Sequence, residues 1–84
     1  MINAPEIESK LLEFVRREVF APEVSIAADT DLIGAGFDSM SLVRVLLFVE
    51  NTYGLWLPQN EINAVTLQNI RSLSATIARL LHER

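Results

Sequence analysis

Apolar residues recur at three- and four-residue spacing in three separate stretches of this chain, while the stretch between the first two keeps no period. Such spacing lines side chains along one face of an α-helix, and each stripe has to be hidden against another. With 84 residues the chain has room for one core, so the three stripes must share it in a single domain spanning residues 1–84. Half of the residues are hydrophobic, which is enough to fill that core and too many for a disordered chain.

Ile7, Leu11, Phe14, Val15 and Val19 form the first stripe. Asn3, Pro5 and Glu6 supply a cap, an early-helix proline and a first-turn acid, and Ala21-Pro22 ends the helix. Between Pro22 and Phe37, Val24, Ile26 and Leu32 are scattered among Ala, Asp, Thr and Gly. A connection of this length inside a small domain is functional or disordered, and its apolar residues point to an ordered loop pinned to the core. Asp38 then caps a second helix over Met40 to Tyr53, which Gly54 closes. Leu42, Leu46, Val49 and Tyr53 are its expected core face, and Met40, Val43, Arg44, Leu47 and Asn51 fall to the other side. Leu55 to Pro58 read as extended, with Trp56 pointing opposite to Leu55 and Leu57 to cover the end of the second helix or, as the alternative, to touch cargo or a partner, and Gln59 to Asn63 as one short helical turn. Thr66 is the expected cap of a last helix carrying Leu67, Ile70, Leu73, Ile77, Leu80 and Leu81. The expected architecture is all-α: a bundle of three long helices and one short one, with a long ordered loop between the first two.

Composition removes several functions. Zero cysteines exclude a disulfide frame, a thiolate nucleophile and a cysteine-based zinc site. A net charge of −4 has the wrong sign for gripping nucleic-acid phosphates, and no apolar run reaches membrane-spanning length. A cytoplasmic monomer with neither nucleic acid nor membrane as partner is expected. The charge is unevenly placed: residues 19–43 carry Glu23, Asp29, Asp31 and Asp38 with no Lys or Arg, and the rest of the chain sums to zero. Basic surfaces are drawn to that stretch.

Catalysis by the bare chain is not expected. His82 is the only histidine and reads as a solvated helix end; no metal cluster, phosphate-binding glycine loop or nucleophilic triad is visible. What remains is Gly36-Phe37-Asp38-Ser39-Met40, where the acidic loop becomes the second helix. Ser39 falls at the first helical position, with an exposed hydroxyl near unpaired N–H groups and the positive end of the helix dipole, a setting that suits a phosphodiester. Gly34 and Gly36 allow tight turns before it, and Asp38 can cap the helix while offering a carboxylate to a metal or an incoming enzyme. An Asp-Ser pair before a helix is also a plain cap, and the residues alone leave both readings open. Ser41 is a rival hydroxyl without a preceding acid.

The run Asp31-Leu32-Ile33-Gly34-Ala35-Gly36-Phe37-Asp38-Ser39-Met40, followed by Leu42, Leu46, Val49, Tyr53-Gly54 and Leu57-Pro58, resembles the acyl carrier and peptidyl carrier protein family over nearly the whole chain. The resemblance implies a four-helix carrier, not an enzyme. It implies that a phosphopantetheinyl transferase, using coenzyme A and magnesium, attaches 4′-phosphopantetheine to Ser39, with Asp38 aiding recognition and metal binding by that transferase. The sulfur missing from the sequence would arrive with this group, to carry acyl or aminoacyl thioesters.

The same resemblance makes the second helix the docking surface and Met40, Val43, Arg44 and Leu47 the partner contacts; the alternative is that Val43 and Leu47 pack under the loop. Arg44 departs from the acids that fatty-acid carriers place on this face. That departure favours a stand-alone carrier in a polyketide or nonribosomal-peptide type pathway, loaded by an adenylating enzyme or acyltransferase and unloaded by a downstream synthase. A housekeeping fatty-acid carrier and a cofactor-free helical adaptor are the alternatives. Leu46, Ile62 and Val65 are the candidate border of a cargo groove.

Overall fold

The structure is a computed structural model that describes residues 2–83. Among these residues there are three α-helices and no strand: α1 (Ala4–Phe14), α2 (Ser39–Tyr53) and α3 (Ile70–His82). A π-helical turn, Val15–Val19, prolongs α1, and a 3₁₀ turn, Gln59–Glu61, lies between α2 and α3. The short helical segment expected at 59–63 is thus a three-residue 3₁₀ turn, and the described residues hold three α-helices instead of four.

Local chemistry sets the helix ends. The Asn3 side chain accepts the Glu6 N–H at 3.0 Å, satisfying one of the first-turn donors of α1. The far end of α1 widens, so that Phe20 N–H reaches the carbonyl of Val15 at 2.9 Å, and Phe20 itself is extended. Asp38 caps α2, and Gly54 ends it in the left-handed conformation (φ 66°), which glycine adopts without Cβ strain. The cap of α3 is Asn69, not Thr66: Asn69 Oδ1 accepts the Ser72 N–H at 2.8 Å. Thr66 is buried in the turn before it, where its N–H donates to Asn63 Oδ1 at 2.9 Å.

One core draws on every part of the chain. Ile7, Leu11 and Val15 come from the first helix, Val45, Leu46 and Val49 from α2, Ile70, Leu73 and Ile77 from α3, and Ile26, Leu32, Phe37 and Leu57 from the connections. The buried face of α2 is rotated from the expected one. Val45 and Ser41 join Leu46 and Val49 inside, while Leu42 and Tyr53 are only partly buried. Trp56 is 53% exposed, and its neighbours Leu55 and Leu57 turn inward, so the three alternate as an extended segment requires. The principal packing is α1 against α3, and α2 approaches the π-helical turn. Phe14 and Phe48 stack at a centroid separation of 4.3 Å across the α1–α2 contact.

Residues 20–38 are fastened to this core at several points. Leu32 N–H donates to the Gln68 carbonyl and Arg71 N–H to the Ala28 carbonyl, both at 3.0 Å. The Arg16 guanidinium donates twice to the Ile26 carbonyl, at 2.9 and 2.6 Å. Burial of Leu32 and Ile26 would strand their polar backbone groups without such partners.

Candidate functional site

A coil of tight turns delivers the chain to α2. The Leu32 carbonyl accepts from the N–H groups of Ala35 (3.1 Å) and Phe37 (2.9 Å), and the Ile33 carbonyl accepts from Gly36 (3.1 Å). Closing this coil puts Gly36 at φ 107°, where side chains are strained, although a Cβ there would meet no atom within 4 Å. At Gly34 a Cβ would come within 2.7 Å of Asp31 Oδ2, the end of an exposed side chain that would have to swing aside. Phe37 then turns into the core beside Phe20, anchoring the residue immediately before Asp38.

Asp38 is extended (φ −124°, ψ −172°), and its Oδ1 accepts both the backbone N–H of Ser41 at 2.9 Å and the Ser41 hydroxyl at 3.0 Å. These bonds, the backbone one first, favour the ionised carboxylate and hold the Asp38 carboxyl below its usual 3.8. The same geometry separates the two serines of the first turn. The Ser41 side chain is buried and donates to Asp38, whereas Ser39 is exposed at the first position of α2. Exposed Asp38, Ser39 and Met40 make an open edge next to exposed Gly36.

The residues expected to meet partners run along α2 from this edge. Met40 is 65% exposed, and Val43 and Leu47 are 47% exposed, so the two aliphatic side chains do not pack beneath the loop. Arg44 is exposed as well, but its Nη1 donates to the Glu18 carbonyl at 2.8 Å. Of the residues expected to border a groove, Leu46 is buried, Ile62 partly so, and Val65 stands in solvent. A cleft of about 270 Å³ lies elsewhere, lined by Lys10, Glu13, Phe14, Arg17, Phe48 and Thr52. Phe48 is nine residues beyond Ser39, two and a half turns along the helix, and so faces the opposite side from it. His82 is exposed at the end of α3, with Nε2 3.2 Å from the Ile2 carbonyl. Among the described residues no three His, Cys, Asp or Glu side chains gather as a metal-holding group, and no helix is long and apolar enough to cross a membrane.

Sequence reasoning missed the buried Val45, the Asn69 cap and both long-range arginine contacts. Asn69 was visible as a cap-forming residue, whereas Arg16 and Arg44 bond to backbone carbonyls that carry no side-chain signature.

Compared with known protein families, the chain matches the one described as phosphopantetheine attachment site over residues 9–80. It belongs to that family, and its domain is an attachment site for covalent 4′-phosphopantetheine. Carrier domains of this kind work with a phosphopantetheinyl transferase and with acyl-loading enzymes. No curated protein matches the chain at a significant level. The geometry around Asp38 and Ser39 fits such a group: an exposed hydroxyl, held at a helix start by a capped turn, with open backbone at Gly36.

Proposed function

We propose that this chain is a cytoplasmic carrier whose Ser39 receives 4′-phosphopantetheine and whose arm conveys acyl or aminoacyl groups between separate enzymes. The observation that carries this reading is the contrast within one turn: the Ser39 side chain is exposed beside an ionised Asp38, while the Ser41 hydroxyl is bonded inward. In the modification the Ser39 oxygen attacks the pantetheine-side phosphorus of coenzyme A. A new P–O bond forms, the pyrophosphate bond breaks, adenosine 3′,5′-bisphosphate leaves, and the hydroxyl proton passes to a base on the transferase. Asp38 orients the turn and offers its carboxylate to the transferase and the magnesium it brings. Once attached, the arm supplies a thiol for thioester carriage, and tethering keeps the cargo at high effective concentration near a docked enzyme. The chain itself catalyses nothing in this scheme.

In this reading residues 20–38 act as the ordered loop of a carrier bundle, and residues 59–69 stand in for its short helix. Docking falls to the α2 face of Met40, Val43 and Leu47, with Arg44 at its border. Residues 39–49 of α2 contain no acid, which favours a polyketide or nonribosomal-peptide type pathway over a fatty-acid synthase that reads acids on this face. Charging by an adenylating enzyme or acyltransferase supports that choice, and turnover by fatty-acid synthase enzymes would reverse it.

The test of the carrier reading is incubation with a broad-range phosphopantetheinyl transferase and coenzyme A, followed by intact mass measurement. A gain of one phosphopantetheinyl group that is lost in Ser39→Ala is expected. An unmodified wild-type chain would point instead to a helical adaptor with no cofactor.

A further inference from the structure

On the side of the bundle away from Ser39, the first helix borders two hollows. One, of about 270 Å³, lies against the stacked rings of Phe14 and Phe48, with Lys10, Glu13 and Arg17 contributed by the first helix and Thr52 by α2. Both rings are only partly buried, so an apolar patch meets solvent there. The other, of about 590 Å³, lies over Ser9, Leu12, Glu13, Arg16 and Arg17, and the Glu13–Arg17 ion pair belongs to both. Their lining carries Lys10, Arg16 and Arg17 against Glu13, a sum of +2, or +1 with Glu18, which Arg17 also holds. The chain carries −4, so the remaining residues carry −5. Residues 19–43, which lead to Ser39 and into α2, hold four acids and no cation. An acidic partner is therefore drawn to the outer face of the first helix and repelled from the approach to Ser39.

The cations are open to such a partner. Lys10 is exposed and makes no hydrogen bond or ion pair among the described residues. Arg16 spends its bonds on the neutral Ile26 carbonyl and keeps its charge. Arg17 donates through Nη1 to Glu13 and through Nε to Glu18, which leaves Nη2 for a further acceptor. Lys10 and Arg17 are seven residues apart, which is two turns, about 10.5 Å of helix, and a difference in direction of about 20°. A helix lying alongside repeats its side chains at the same spacing. Two acids seven residues apart on it reach both cations, and the apolar residues three and four places along face the rings between them.

We propose that the cleft over Phe14 and Phe48 docks an acidic amphipathic helix of a partner protein, with carboxylates on Lys10 and Arg17 and an apolar side chain on the two rings, while Ser39 stays uncovered. The docking surface stands without the carrier reading above. That a carrier held in this way keeps its arm free for a second enzyme rests on that reading, because Phe48 and Ser39 face opposite sides of α2.

The probe is a capped, alanine-rich helical peptide of about 18 residues with Glu-Ala-Ala-Leu-Phe-Ala-Ala-Glu at its centre, titrated into the nitrogen-15-labelled full chain and followed by amide shifts. Saturable shifts confined to residues 10–17 and 48–52 are expected. The same peptide with both Glu replaced by Lys should bind about tenfold more weakly or worse, and raising sodium chloride from about 50 to 500 mM should weaken the acidic peptide about threefold. Lys10→Glu should cost about fivefold, and Thr52→Trp, which fills the cleft and leaves its charges in place, about tenfold. Equal binding of the two peptides, shifts centred elsewhere, or unchanged binding in Thr52→Trp overturns the proposal. Cleft resonances that move with the concentration of the chain alone would make the occupant a second copy and also overturn it. At saturating acidic peptide, modification by a broad-range phosphopantetheinyl transferase should keep its rate within about twofold, and a block of that step contradicts an uncovered Ser39. If the chain is not modified even without peptide, the carrier reading fails and the titration still decides the docking surface.

Discussion

Replacing Leu32 by Ala tests whether the segment leading into α2 is part of the core. Leu32 is fully enclosed although it lies outside any helix, and its two backbone groups tie residues 35, 37 and 68 together. Deleting an enclosed leucine side chain costs about 3 kcal/mol, within a range of roughly 2.7 to 5. An 84-residue chain unfolds with an entropy of about 0.18 kcal/mol/K, so the melting temperature should fall by about 17 °C. Neighbouring Ile33 is 62% exposed, and Ile33→Ala should change stability by less than about 0.5 kcal/mol, or about 3 °C. Thermal unfolding followed by circular dichroism at helical wavelengths measures both. A drop of less than about 5 °C in Leu32→Ala, or equal drops in the two variants, refutes the view that this segment is held by core burial.

Acid should loosen the start of α2 in a defined window. The Asp38 carboxyl is held below 3.8 in the folded chain by the Ser41 N–H and hydroxyl, so the stability it contributes is complete above its unfolded value and is lost as pH falls through the folded one. Melting temperatures of Asp38→Asn and wild type should therefore run parallel from neutral pH to about 5 and converge below about 4; parallel curves throughout would contradict this. The Phe14–Phe48 stack should show a coupling of about 0.5 to 1.5 kcal/mol in a double-mutant cycle of Phe14→Leu and Phe48→Leu by urea unfolding, and zero coupling would remove it as a link between α1 and α2.

Which features were legible in the sequence follows from the range of the forces behind them. Asn3, Asp38 and Gly54 act within one helical turn, so both ends of α2 and the start of α1 could be read directly. Thr66 and Asn69 are both cap-forming residues ahead of the same apolar period, and the choice between them is made at a distance. Leu32 N–H takes the Gln68 carbonyl, Asn63 takes the Thr66 N–H, and the helix begins only after both. The π-helical turn and its arginines depend on carbonyls from Glu18 and Ile26, which no side-chain pattern announces. The buried face of α2 was off by one ridge because Ser41 looks polar in sequence, yet its hydroxyl is satisfied by Asp38 and can turn inward with Val45. At the site itself the Gly36 to Met40 run was legible, and what the structure adds is the inward bond that sets Ser41 apart from Ser39.

The most direct measurement of the central claim is the position of the modification within the chain. Wild-type protein treated with the transferase and coenzyme A is cut with a protease, and the peptide carrying Ser39 and Ser41 is fragmented in the mass spectrometer. The account predicts that the added group lies on Ser39 and that Ser41→Ala leaves the yield unchanged. A group found on Ser41, or on any residue outside this turn, would contradict it.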